Sequence, residues 1–211
     1  KKGPKDFVTK TDKNVEKILI EELKKIKKNY SFLSEEIGSI NNKDNENIWI
    51  IDPIDGTTNF LHGIPHFAIS VALKINNEFK SGIIFDPIKN DIFYAEKNHG
   101  SFHNNQRIKV SKKNKLDFCL FASNIEGVKF SDMNMRYSGS AALDLAYVAA
   151  GRLDGFFQNK LKIWDIAAGI VLVKEAGGVL NELDLSIHKN IKIIASSTNI
   201  RSKLLEKLNN F

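Results

Sequence analysis

Cysteine is nearly absent. Cys119 is the only one in 211 residues, so no intramolecular disulfide can form and a reducing compartment is expected. Its setting, Phe118-Cys119-Leu120-Phe121, is that of a buried structural thiol. No apolar run is long enough to cross a membrane, and the opening Lys-Lys-Gly-Pro has none of the marks of a signal peptide. A cytoplasmic location is the expectation. Arginine is scarce too: Arg107, Arg136, Arg152 and Arg201 are the only four among 31 basic residues, and the other 27 are lysine. The net charge of +6 therefore reads as a solvated lysine surface. Direct nucleic-acid binding would need a basic stripe with interleaved aromatics or a reader motif, and neither is present. The charge can still steer anionic small molecules toward a site.

What remains is an ordinary globular composition, 42% apolar and 27% charged, with no repeat, low-complexity linker or clear domain break. Residues 13–29 have helical spacing, with Val15, Ile18, Leu19, Ile20, Leu23 and Ile26 on or near one face. Residues 47–51 read as a buried strand. Residues 67–75 and 81–85 read as strands joined by an Asn76-Asn77 turn, and 91–96 and 101–110 as further short strands punctuated by His99-Gly100 and Asn104-Asn105. The second half mixes strands (118–123, 154–158, 191–196) with helices (140–150, 165–176, 199–209), and 124–138 lacks periodicity. The expected class is α+β, a layered sandwich with a mainly antiparallel first half. The chain reads as one domain, with a 1–123 α+β half and a 124–211 α/β half.

The segment Trp49-Ile50-Ile51-Asp52-Pro53-Ile54-Asp55-Gly56-Thr57-Thr58-Asn59-Phe60 carries the most chemistry. An apolar strand runs into two aspartates three apart. Pro53 removes an N–H and fixes φ, so the strand is expected to end there, while Gly56 allows a tight backbone and close approach of a ligand. Such a turn aims Asp52 and Asp55 at a common point and leaves the Ile54 carbonyl free, an oxygen set that suits a hard divalent ion. The competing reading makes the two aspartates plain turn residues. Further acids occur at Glu35-Glu36, after the apolar pair Phe32-Leu33, at Asp12, and at Asp165, which opens a helix and could be a simple N-cap.

In order along the chain, Asp6-Phe7-Val8-Thr9-Lys10-Thr11-Asp12, Glu35-Glu36, Asp52 to Phe60, Gly139-Ser140-Ala141-Ala142, Trp164-Asp165-Ile166-Ala167-Ala168-Gly169 and Glu175-Ala176-Gly177-Gly178 resemble the motifs of the inositol monophosphatase-like, lithium-sensitive phosphatases, the bacterial members above all. The resemblance implies a layered αβαβα sandwich and Mg²⁺-dependent hydrolysis of a phosphate monoester, inositol 1-phosphate first. Fructose-1,6-bisphosphatase, histidinol-phosphatase and 3′-phosphoadenosine 5′-phosphate phosphatase are alternatives with the same metal ligands. It implies two or three Mg²⁺ ions held by Glu35, Asp52, the Ile54 carbonyl, Asp55 and Asp165, with Thr57 and Asp12 orienting and activating the attacking water, helped by Glu35. Substrate contacts carried over are Asp55, Gly56, Thr57, Gly139, Ser140, Ala141, Gln158 and Asp165.

Phosphate recognition is expected from the metals and from backbone N–H groups, since Gly56-Thr57 and Gly139-Ser140-Ala141 stand where helices begin. Gly139-Ser140 also reads as an ordinary N-cap. Gln158 falls where inositol-specific members have a glutamate that contacts a substrate hydroxyl, and glutamine can still bond a hydroxyl. The family's N-terminal helix is expected to be absent and 124–138 to be shorter than in relatives. A homodimer is the implied assembly, and a transcription-machinery partner role, independent of catalysis, is the non-enzymatic alternative. Of the five histidines only His62 and His66 fall near the signature loop, and none pairs at zinc-ligand spacing. Trp49 and Trp164 read as packing residues that fix the motifs following them.

Overall fold

The computed structural model describes residues 10–125, 133–184 and 190–208. Helix α1 (Lys10–Ile26) lies against a mixed sheet formed by β1 (Tyr30–Ser34), β2 (Gly38–Ile40), β3 (Asp44–Asp55), β4 (Ala68–Ile75), β5 (Glu78–Asp86), β6 (Asp91–Glu96), β7 (Gly100–His103) and β8 (Gln106–Ile108). A short helix α2 (Thr57–Leu61) follows β3. The eight strands run in the order β2-β1-β3-β4-β5-β6-β7-β8. Every neighbouring pair is antiparallel except β1 and β3. Two-residue turns at Asn76-Asn77 and Asn104-Asn105 join hairpins with φ between 45° and 66°, the left-handed pairing that asparagine tolerates and the strand twist favours.

The second sheet has the order β10-β9-β11-β13-β12, built from β9 (Leu120–Ala122), β10 (Asn134–Arg136), β11 (Gly155–Leu161), β12 (Gly178–Leu180) and β13 (Ile191–Ser197). Helices α3 (Ala141–Ala149) and α4 (Ile163–Glu175) pack between the two sheets, and α5 (Arg201–Lys207) covers the outer face of the second. Period-two alternation shows the layering. Phe156 and Ile193 face the central core, whereas Phe157 and Ile194 face α5. On the first sheet Leu33 and Ile50 face the centre, while Phe32 and Ile51 face α1. The order α1, sheet, α3–α4, sheet, α5 is the expected αβαβα sandwich.

α3 and α4 are apolar on nearly every side because both of their faces are covered. Their approach is close. A Cβ on Gly82 of β5 would stand 2.7 Å from the Ala168 backbone, and one on Gly169 would stand 2.5 Å from the Leu145 side chain. Cys119 is buried among Phe121, Phe157 and Leu204, as its setting predicts, and burial pushes its thiol up to about 11. Trp164 packs on the central core and Trp49 on the α1 cluster, the packing roles expected of them. Among the described residues no helix is long and apolar enough to cross a membrane.

Several expectations need correction. α1 begins and ends three residues before the predicted 13–29, and Ile18 and Ile26 are exposed. Its buried stripe is Asp12, Glu16 and Ile20, at i, i+4 and i+8, so two acids share the inward face with Ile20. β3 does not stop at Pro53. It continues to Asp55 through a bulge in which Asp52 opposes Ser70 and Asp55 opposes Ala68. The extra residue on β3 takes up the proline, which has no ladder hydrogen to give.

Candidate active site

The parallel pairing of β1 with β3 does the first work. Ser34 stands opposite Ile51, so the next residues, Glu35 and Asp52, leave adjacent strands at the same end. The β3 bulge then carries the chain past Pro53, and Asp52 Oδ1 accepts the Ile54 N–H at 3.0 Å, closing a small turn. Asp55 ends the strand, and Gly56 enters α2 at φ 92°. A Cβ there would meet the carbonyls of His66 and Gly139 at 3.2 and 3.3 Å, so glycine is required by both conformation and space. Asn59 fastens the neighbourhood, its Nδ2 donating to the carbonyls of His66 at 2.7 Å and Ser138 at 2.8 Å.

Asp165 arrives from the other sheet's side. It is the third residue of α4 rather than its cap, which is Lys162, and its Oδ2 accepts the Lys162 N–H at 2.8 Å. Ser140 is the true N-cap of α3, accepting the Leu143 N–H at 3.3 Å. It is fully buried, and its hydroxyl also donates to Asp55 Oδ2, which accepts the Ala142 N–H at 2.9 Å as well. The start of α3 is thus occupied by the Asp55 carboxylate. The Ser140 hydroxyl is therefore taken by Asp55 rather than presented to the cavity.

Glu35, Asp52, Asp55 and Asp165 line one cavity of about 350 Å³, together with Ile54, Gly56, Thr57, Gly139, Ala141 and Gln158. All but two of the sequence-predicted site residues meet there. The exceptions are Ser140 and Asp12, which is fully buried on α1 and not part of the wall. The Thr57 hydroxyl donates to the Ile54 carbonyl at 2.9 Å, so the expected Thr57–Asp12 pair is not hydrogen-bonded here. His62 and His66 stay outside the wall.

Five features of the site escaped sequence reading: Thr58, Asn124, Lys160, Leu161 and, behind the wall, Glu16. Glu16 Oε1 accepts from the Ser34 hydroxyl and from the N–H groups of Glu36 at 3.1 Å and Ile37 at 3.2 Å, holding the turn that carries Glu35. The signal for Glu16 was available, since it lies one helical turn after Asp12.

Electrostatics explain what such a cluster is suited to. Burial raises Asp52 well above the ordinary carboxylate range, reinforced by the charges of Glu35, Asp55 and Asp165 and by a hydrogen bond with Glu35. Burial likewise raises Asp165, with Asp55 and Glu35 adding to it and the Lys162 N–H opposing. Asp55 is raised by burial to about 6 against the bonds from Ser140, Ala142 and Ala141. Among the described residues no three acids or imidazoles meet around one point. The donor chemistry nonetheless fits a hard divalent cation: carboxylate oxygens and a carbonyl, no sulfur or imidazole, and a mutual repulsion that a bound cation would relieve.

The sequence profile of the inositol monophosphatase family matches residues 1–210. The chain is similar to the inositol-1-monophosphatase of Mesorhizobium japonicum, 40% identical over 97% of this chain and 84% of that protein. It is also similar to the Nus factor SuhB of Escherichia coli, 40% identical over 86% of this chain and 73% of that one. Among solved structures it resembles the extragenic suppressor protein suhB of Bartonella henselae, with a TM-score of 0.90, 42% identity, and coverage of 98% of this chain and 86% of the other. The Thermotoga maritima IMPase also superposes at 0.90, with 37% identity over all of this chain and 86% of its own. Sequence, fold and the placement of the carboxylate motifs thus agree: the protein belongs to the inositol monophosphatase family.

Proposed function

We propose that the protein is a Mg²⁺-dependent phosphomonoesterase acting on a phosphate ester of a small polyol or sugar-like molecule, with inositol 1-phosphate the first substrate to test. The observation that carries this is the convergence of Glu35, Asp52, Asp55 and Asp165 on one cavity from β1, β3 and α4, with Asp52 and Asp165 raised by burial and further by neighbouring carboxylates. These four side chains and the Ile54 carbonyl would hold the metal. When bound, Mg²⁺ supplies positive charge and Lewis acidity to the phosphoryl group.

The chain's own groups have separable tasks. Thr57 Oγ1 gives its proton to the Ile54 carbonyl, so its lone pairs are left to accept from an attacking water. Glu35, half-buried beside Asp52, is the carboxylate placed to take that water's proton. The backbone at Gly56 comes close to ligand because no Cβ intervenes. Gly139 and Ala141 close the opposite wall.

Phosphate release from inositol 1-phosphate, fructose 1,6-bisphosphate, histidinol phosphate and 3′-phosphoadenosine 5′-phosphate, with Mg²⁺ and with EDTA, tests the proposal. Turnover with Mg²⁺, abolished by EDTA, inhibited by Li⁺ and lowered about 10³-fold by Asp52→Asn, is the expected result. Folded protein without turnover on any of them overturns it. Relatives named Nus factor support a second reading, a transcription partner that needs no turnover. Retention of the biological activity by Asp52→Asn favours that reading.

A further inference from the structure

Among the described residues seven non-glycine positions have positive φ. Six are asparagines and the seventh is Lys160, at 59°. Asparagine tolerates that region, whereas lysine has no side-chain device to offset the clash of Cβ with its own backbone. Lys160 sits at a bulge, where Gln158 opposes Ile193 and Leu161 opposes Ile191, so β11 carries one more residue than β13. Bulges re-aim side chains beside sites, and strain of this kind persists where surrounding structure enforces it.

Lys160 lines the carboxylate cavity and is the one cationic side chain in its wall among the described residues. Its ammonium makes no hydrogen bond or ion pair with any of them, the acidic floor included. Gln158, two residues earlier, lines the same wall. Its Oε1 accepts from Asn124 Nδ2 at 3.3 Å, and Asn124 is itself fixed by the Gly139 N–H at 3.1 Å. The Gln158 Nε2 hydrogens remain to donate. The β11 wall thus sets an amide and, among the described residues, an unpaired ammonium opposite a floor of carboxylates. An ammonium at the wall of the site with no protein anion on it suits an anionic group on the leaving group.

We propose that Lys160 and Gln158 select phosphate esters whose leaving group carries a second anionic group, a phosphate or a carboxylate. The inference rests on the phosphomonoesterase reading above and narrows its substrate class.

The test compares matched pairs: fructose 1,6-bisphosphate against fructose 1-phosphate, and 3-phosphoglycerate against glycerol 3-phosphate. For the preferred pair the ratio of kcat/KM, doubly anionic over singly anionic, should fall about tenfold in Lys160→Gly, chiefly through KM, and stay within about threefold in Lys160→Arg. Whichever pair responds identifies phosphate or carboxylate as the second group. Lys160→Gly relaxes the strained backbone, so its thermal midpoint should not fall and lost selectivity cannot be ascribed to unfolding. Ratios that do not move in Lys160→Gly for either pair overturn the inference while leaving the phosphatase reading intact. Should wild type turn over no ester with Mg²⁺, the phosphatase reading fails, and calorimetric titration of fructose 1,6-bisphosphate into the Mg²⁺-loaded protein decides this inference separately. Binding weakened about tenfold by Lys160→Gly upholds the anion subsite, and equal or absent binding overturns it.

Discussion

Replacing Glu16 by alanine should damage metal use more than it damages the fold. Glu16 is fully buried, and its Oε1 is the acceptor for the Ser34 hydroxyl and for two amides of the 35–37 turn. Alanine leaves the buried Ser34 hydroxyl without its acceptor, a loss of about 1–3 kcal/mol, and removes two partly exposed bonds worth ~0.5–1.5 kcal/mol each. The sum, roughly 2–6 kcal/mol, lowers the thermal midpoint by about 4–24 °C in a chain of this size. Glu16→Gln keeps an oxygen in place and should lose under about 1.5 kcal/mol. Urea unfolding measures the stability term. The functional term is the Mg²⁺ concentration for half-maximal phosphatase activity, expected to rise about tenfold in the alanine variant, with kcat at saturating Mg²⁺ changed only a few-fold, as for loss of a group that orients a ligand. Alanine and glutamine variants with equal stability, or an alanine variant that is destabilised but keeps the wild-type Mg²⁺ curve, would show that sheet register alone positions Glu35.

Two other perturbations follow from the packing. Asp144, buried at the start of α3, is pushed by burial up to about 8, with the Asp55 charge adding and the Ser138 hydroxyl opposing. An acid whose folded pKa exceeds its unfolded value of about 3.9 contributes stability that is full below that value and is lost as pH rises toward 8, at up to ~1.4 kcal/mol per pH unit. Asp144→Asn should therefore flatten the fall in urea midpoint between pH 5 and 8, and parallel profiles for variant and wild type would contradict this. Gly56→Ala must place a Cβ at φ 92° within 3.2 Å of a carbonyl. It should lower stability by about 1–3 kcal/mol and kcat/KM by more than about tenfold, and full activity would mean that the turn relaxes freely.

Much of the site was legible because its chemistry is local. Asp52, Pro53, Asp55 and Gly56 announce a turn lined with oxygen ligands whatever the surrounding fold, and Asn76-Asn77 and Asn104-Asn105 announce hairpins by their tolerance of positive φ. What stayed hidden depends on partners distant in the chain. Nothing in Tyr30–Ser34 says that it will pair in parallel with β3, yet that pairing is what sets Glu35 beside Asp52. Helical periodicity found the apolar half of α1 but not that its inward stripe continues into Asp12 and Glu16, whose burial is compensated only by tertiary contacts such as the Glu16 bonds to the 34–37 turn. Ser140 was read both as a cap and as a ligand contact; it caps α3, and its hydroxyl is bonded to Asp55. Lys160 carries no turn signature at all, because its backbone is imposed by the bulge against β13.

The bonds from Ser140 and Ala142 to Asp55 span 85 and 87 residues. They latch the end of a strand in one sheet to the first turn of a helix shared with the other. Because of that latch, drawing the sheets apart also disrupts the cavity, and a ligand bound there would oppose the opening. Occupancy and cohesion become one variable: a ligand present at a hundred times its Kd adds about 2.7 kcal/mol against opening of the seam. A cell rich in substrate would then hold a molecule more resistant to proteases than a starved one, and the protein's abundance would follow its workload with no dedicated regulator.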